Sequence, residues 1–199
     1  TYDGYAKEAT LENSLTTGVT TPDITYKVKN SADTFVELPD GKTVPTNAGT
    51  YQASITLGNG ENAVTANVEY TIAQVRLIIT AKSTVIDYGS APIDDGVEYQ
   101  GFVNSETESV LGGKLELDHE YTRYGNVGEY DITPKGLTSN NYEISFVPGK
   151  LKVNPKLVTI TWNNTTDRTY DDGNGEVSAT AEGLVNGDKI GVTIKDNLL

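Results

Sequence analysis

Apolar and polar residues alternate with a period of two along most of this chain, and that period predicts half-buried β-strands. Ile24, Tyr26 and Val28 share one parity, as do Tyr51, Ala53, Ile55 and Leu57, and then Val68, Tyr70 and Ile72. Further on, Arg76 to Ile86 is a β-branched stretch and Val97 to Val103 alternates weakly. Leu115, Leu117, His119 and Tyr121 then alternate, followed by Tyr130 with Ile132, and by Tyr142, Ile144 and Phe146. Asn59-Gly60 predicts a hairpin between two strands of the first third. Pro148-Gly149 predicts a tight hairpin turn, with Pro presetting one turn dihedral and Gly allowing a positive one. One short helix is predicted, Ser105 to Leu111, with Ser105 as its cap and Gly112-Gly113 as its stop. No βαβ rhythm is present, which removes a parallel nucleotide-binding sheet.

The same markers return along the chain. Tyr2-Asp3-Gly4, Tyr88-Gly89 and Tyr170-Asp171-Asp172-Gly173 are 86 and then 82 residues apart, a domain-sized period. Gly101-Phe102-Val103-Asn104 starts 13 residues after Tyr88, and Gly183-Leu184-Val185-Asn186 starts 13 after Tyr170. Asn47-Ala48-Gly49-Thr50-Tyr51 matches Asn126-Val127-Gly128-Glu129-Tyr130. The chain therefore reads as three units: 1–74, a β-rich repeat whose opening strand is missing; 75–155, a complete module; and 156–199, the N-terminal part of a third. Ala73-Gln74 and Asn154-Pro155 are the joints, and two residues leave little room for a hinge. The expected fold is mostly β: tandem small modules, β-grasp-like or immunoglobulin-like sandwiches, each with at most one short helix, arranged as a rod. Joints that short need first and last strands of a module to run parallel. With half a core, 156–199 needs a partner, and strand exchange between copies would supply one, because its opening strand is what 1–74 lacks.

Composition narrows the chemistry. A net charge of −13 opposes nucleic acid and anionic membranes as partners. The absence of Cys removes thiol catalysis, disulfides and thiolate metal sites, and a lone histidine, His119, removes multi-histidine sites. No apolar run reaches the roughly 20 residues that span a bilayer, and no secretion signal opens the chain, so direct membrane insertion is not expected and the sequence reads as a piece of a longer protein. Gly-x-Ser-x-Gly, phosphate-loop and His-Glu-x-x-His motifs are all missing, and no catalytic residue is assigned.

The remaining candidates have bland readings beside the sharp ones. His119 sits at an alternating strand position, where packing explains it better than general-base work. Asp171, Asp172, Asn174 and Glu176 offer oxygens to Ca²⁺, as does Asp94-Asp95-Gly96, but without the spacing of an EF-hand; acidic turns are the simpler reading, and calcium is the one cofactor kept. Trp162 shares parity with Val158 and Ile160, which predicts core or module interface, with a sugar-stacking platform as the alternative. Lys82 and Asn141 are the residue types of an isopeptide crosslink, although no Lys–Asn–acid triplet is identified.

The ordered markers resemble the MBG repeats of the YGX type, with the related YDG repeats, of bacterial surface proteins and adhesins. Asp87-Tyr88-Gly89, Gly101-Phe102-Val103-Asn104, Val110-Leu111-Gly112-Gly113, Val127-Gly128-Glu129-Tyr130, Gly136-Leu137-Thr138-Ser139-Asn140-Asn141-Tyr142 and Phe146-Val147-Pro148-Gly149-Lys150-Leu151 carry the likeness. The third unit resembles the start of a YDG copy. The resemblance implies an exported, extracellular location on the bacterial cell surface and a non-catalytic stalk or spacer role. Two alternatives accompany it: modules that bind a host or biofilm ligand, glycan or protein, and a calcium-rigidified linker. Neighbouring repeats of the same chain are the expected partners.

Overall fold

The computed structural model describes residues 1–11, 22–39, 43–58, 60–162 and 179–191. Alternating sequence gives strands throughout, and the chain divides into two compact units. The first is drawn from Thr1–Thr80, Val97–Glu116 and Pro134–Val147, the second from Ala81–Gly96, Leu117–Thr133 and Pro148–Leu199.

In the first unit, β1 (Ile24–Lys29), β2 (Phe35–Glu37), β3 (Gly49–Leu57) and β4 (Val64–Ile72) form an antiparallel sheet ordered β2-β1-β3-β4. The hairpin expected at Asn59-Gly60 is the β3–β4 connection, Gly58 to Ala63, which carries a 3₁₀ turn at Gly60–Asn62. A second sheet has the order β10-β5-β7, from β5 (Val75–Ala81), β7 (Val97–Gln100) and β10 (Tyr142–Val147), with β10 parallel to β5. Their core holds Tyr2, Tyr51, Ile72, Leu77, Ile79 and Tyr142, the last four at 3% exposure or less. Parity made these residues inward-facing; burial of each is worth about 1.5–3 kcal/mol.

A further sheet is ordered β6-β11-β9-β8, from β6 (Thr84–Asp87), β8 (Gly112–His119), β9 (Gly128–Thr138) and β11 (Gly149–Asn154). The second unit holds β6, β11 and the parts of β8 and β9 that fall within Leu117–Thr133. Strands β6 and β11 run parallel, β9 and β11 antiparallel. Ala81, Ile86, Tyr121, Ile132, Leu151 and Val153 form the core. A two-stranded antiparallel sheet, β12 (Thr159–Trp162) with β13 (Ala179–Glu182), completes the described part. The first and last strands of the 75–155 stretch pair in parallel, β5 with β10 and β6 with β11, as short joints require. Ala73-Gln74 alone connects β4 to β5, whereas β11 and β12 are joined by Pro155–Val158.

Three expectations are corrected. Pro148-Gly149 is not a hairpin: β10 pairs with β5, β11 pairs with β6 and β9, and the chain passes from one sheet to another. Gly149 has no positive φ; it is needed because a Cβ there would lie 2.4 Å from the Ala81 carbonyl oxygen. The stretch Ser105–Leu111 is not a helix capped by Ser105. Asn104 and Ser105 take left-handed φ values of 50° and 59°, which helix entry forbids, and Thr107 instead caps a single 3₁₀ turn at Glu108–Val110. Trp162 is not core. It shares a face with Ile160 as parity predicts, but the two are 48% and 46% exposed, because the small Ala179 and Ala181 stand opposite them.

Candidate functional site

The markers that begin at Tyr2 and Tyr88 each meet a Gly-x-Val-Asn marker further along the chain, and the Tyr170-Asp171-Asp172-Gly173 marker lies outside the described residues. In the first unit, Tyr2-Asp3-Gly4 docks on the Gly101–Glu106 segment. The Tyr2 N–H donates to the Ala73 carbonyl at 2.8 Å, and its ring meets Tyr142 edge-on at 5.7 Å. The Tyr2 hydroxyl donates to one oxygen of Glu106 and the Tyr142 hydroxyl to the other, each at 2.5 Å, while the Val103 N–H donates to the Tyr142 oxygen at 3.1 Å. Gly4 has φ +82°, and a Cβ on it would sit 2.6 Å from the Asn104 amide nitrogen, so the Tyr-Asp-Gly marker needs its glycine for both conformation and approach. Asn141 closes the site: its Oδ1 accepts from the Ala48 N–H at 2.9 Å and its Nδ2 donates to Asn47 at 3.2 Å.

The second unit repeats the geometry with the next pair of markers. The Tyr88 N–H donates to the Asn154 carbonyl at 2.9 Å, and a Cβ on Gly89, at φ +92°, would lie 2.9 Å from Val185. The Tyr88 hydroxyl donates to Asp188 at 3.4 Å. Asp188 follows Gly183 by the same number of residues as Glu106 follows Gly101, and each acid's N–H donates to its own valine carbonyl, Val185 or Val103, at 2.9 Å. Asn104 and Asn186 both take left-handed φ values, 50° and 55°. Beside this second junction lies a cavity of about 380 Å³, lined among others by Tyr88, Val127, Pro155, Val158, Leu184 and Asp188.

A third marker is a tyrosine corner. The Tyr51 hydroxyl donates to the Asn47 carbonyl and the Tyr130 hydroxyl to the Asn126 carbonyl, each at 2.8 Å across four residues. The bond pins the loop that enters the strand.

Electrostatics at the first junction favours neutral phenols. Burial, then the Glu106 carboxylate, raises the Tyr2 phenol well above the ordinary tyrosine range, and the same two causes raise Tyr142. Burial pushes Tyr70 up to about 12. A phenol whose folded pKa is raised supports the fold fully below the unfolded value near 10 and loses that support as pH rises beyond it. The melting temperature is therefore expected to hold up to about pH 9 and fall above pH 10, with a shallower fall in Tyr2→Phe. Thermal melts across alkaline pH, read beside tyrosinate absorbance, check this.

The other residues singled out from sequence lie apart from the junctions. His119 Nε2 is hydrogen-bonded to Asp94 Oδ1, tying the loop before β7 to the end of β8, and its Nδ1 is buried without a partner among the described residues. Asp94 is engaged there, and Asp95-Gly96 continues the exposed loop to Gly96, whose carbonyl accepts from the Lys82 N–H. The amide of Asn141 is spent on Asn47 and Ala48. Asp171, Asp172, Asn174 and Glu176 lie outside the described residues. Sequence reasoning missed Glu106 and Asp188, although an acid two residues after each Gly-x-Val-Asn was there to be found.

These features define a β protein in which the Tyr2 and Tyr88 markers are each seated on a turn further along the chain. Residues 77–152 match the family model described as the MBG domain (YGX type), the family the ordered markers resemble. No curated protein and no solved structure matches the chain.

Proposed function

We propose that the chain is a run of non-catalytic repeats from the extracellular stalk of a bacterial surface protein, an adhesin, where it works as a spacer. The observation that carries this reading is the repeated junction: Tyr2 with Gly4 on Val103–Glu106, and Tyr88 with Gly89 on Val185–Asp188, with equivalent hydrogen bonds at both. A contact set repeated at domain spacing serves to fix one repeat to the next, and repeats fixed end to end hold whatever they carry at a set distance. The match to a repeat family of structural domains found in surface proteins supports the same reading, as do the two-residue Ala73-Gln74 connection and the parallel first and last strands.

Small-angle X-ray scattering of the chain at several concentrations, with and without calcium, tests it. An elongated, concentration-independent profile is expected, unchanged by calcium. A compact profile would overturn the spacer reading, and a calcium-dependent stiffening would replace it with the linker that needs the ion.

A further inference from the structure

The chain enters the 75–155 stretch through Gln74 into β5 and leaves it through β11 into Pro155. In the first unit β5 lies along β10 in parallel over six register pairs, from Val75 with Tyr142 to Thr80 with Val147. The Val75 N–H also donates to the Asn141 carbonyl at 3.0 Å, where that pair begins. In the second unit β6 lies along β11 in parallel, from Thr84 with Leu151 to Asp87 with Asn154, and the Tyr88 N–H donates to the Asn154 carbonyl at 2.9 Å where the pair ends. Buried side chains anchor both pairs: Leu77 and Ile79 on β5 and Leu151 on β11 are 0% exposed, and Val153 is 2%.

We propose that the stretch from Val75 to Asn154 bears tension along the chain, with β5–β10 and β6–β11 as two clamps loaded in shear. In each pair, tension enters at the start of the earlier strand and leaves from the end of the later one. Parallel strands are then pulled in opposite directions along their own axes. The evenly spaced bonds of the pair share the pull, and sliding must also drag the buried side chains past their neighbours. Between antiparallel strands the same tension would act at one end and part the bonds one after another. Resistance to a pull is set by the barrier to unfolding along the pulled direction and not by equilibrium stability. The use of the clamps rests on the spacer reading, because a stalk is pulled by whatever it holds, whereas the clamps themselves rest on strand pairing. A compact scattering profile would remove that use and leave the clamps standing.

The test pulls the full 199-residue chain from different points; because it has no cysteine, paired cysteines at exposed positions take the two handles. Gln74→Cys with Lys156→Cys loads both pairs in shear. Gln74→Cys with Asn140→Cys peels β5 from β10 at the end where both begin, and Ser90→Cys with Lys156→Cys peels β6 from β11 at the end where both finish. Urea midpoints should agree among the three variants, since all four positions are exposed. Should a cysteine at Gln74 or Lys156 lower the midpoint, Ala73 and Pro155 are exposed substitutes in the same geometry. In single-molecule force spectroscopy at one loading rate, the shear variant is expected to need a severalfold higher force than either peeling variant. Its rupture should release up to about 280 Å of chain, the extended length of the residues between the handles. A shear force no higher than that of one of the peeling variants would overturn the proposal, because the direction of pulling would then not matter.

Discussion

Alanine at Tyr142 is expected to lower the stability of the first unit by about 3–5 kcal/mol, the range for removing a large buried aromatic side chain. The ring is 2% exposed and stands between two others, Tyr2 at 5.7 Å and Phe102 at 5.4 Å, both edge-on. Its loss opens a cavity between Leu77 and Tyr2 and leaves Glu106 with one phenol where it had two. Tyr142→Phe keeps the packing and removes only the hydroxyl, at a cost of about 1.5–3 kcal/mol for a bond to a charged acceptor. Urea denaturation followed by circular dichroism measures both. Equal effects of the two variants would mean that the ring packing contributes little and the carboxylate clamp nearly everything.

Gly101→Ala is expected to cost about 2–4 kcal/mol, from a backbone conformation unfavourable to any Cβ combined with a collision that cannot relax. Its φ is +120°, and the new methyl would lie 2.3 Å from the Arg76 carbonyl oxygen, an atom of the neighbouring strand. Gly60→Ala is the control, since Gly60 also has a positive φ, +58°, but nothing lies within 4 Å of the added carbon. That variant should lose only about 1 kcal/mol. Gly183→Ala should fall between them, because its collision with the Leu157 carbonyl is milder at 2.7 Å. The order Gly101, Gly183, Gly60 in urea midpoints is the checkable outcome. A Gly101→Ala loss no larger than that of Gly60→Ala would show that close approach is not what these marker glycines provide.

Much of the strand content was legible because a strand is a local pattern. Alternation placed Tyr26, Tyr51, Ala53, Ile72, Tyr121, Ile132 and Tyr142 inward, and each is buried. Spacing alone also showed that the Tyr-Gly and Gly-x-Val-Asn markers recur. Their contact was not legible, because Tyr2 and Glu106 are 104 residues apart and a repeat spacing carries no information about which copy's marker meets which. Pro148-Gly149 failed as a hairpin for a related reason. Local dihedral preference describes a chain reversal and a crossing between sheets equally well, and the choice was made by the parallel partners β5 and β6.

What the sequence by itself determined, then, was the β class, the repeat period and the inward parity of strands such as β1 and β9, though not of Leu57 or Val68, which are 43% and 56% exposed, all properties of a few neighbouring residues or of direct self-comparison. The tertiary structure decided which strands pair in parallel, and why Gly149 must lack a side chain. It also decided that Glu106 holds two tyrosines, and that Ile160 stays half exposed where the corresponding Ile79 is fully covered. Those outcomes depend on the strand that arrives alongside. Ile79 and Ile160 hold the same place in the same local pattern; β10 lies against β5 and covers Ile79, whereas among the described residues β12 pairs with β13 alone.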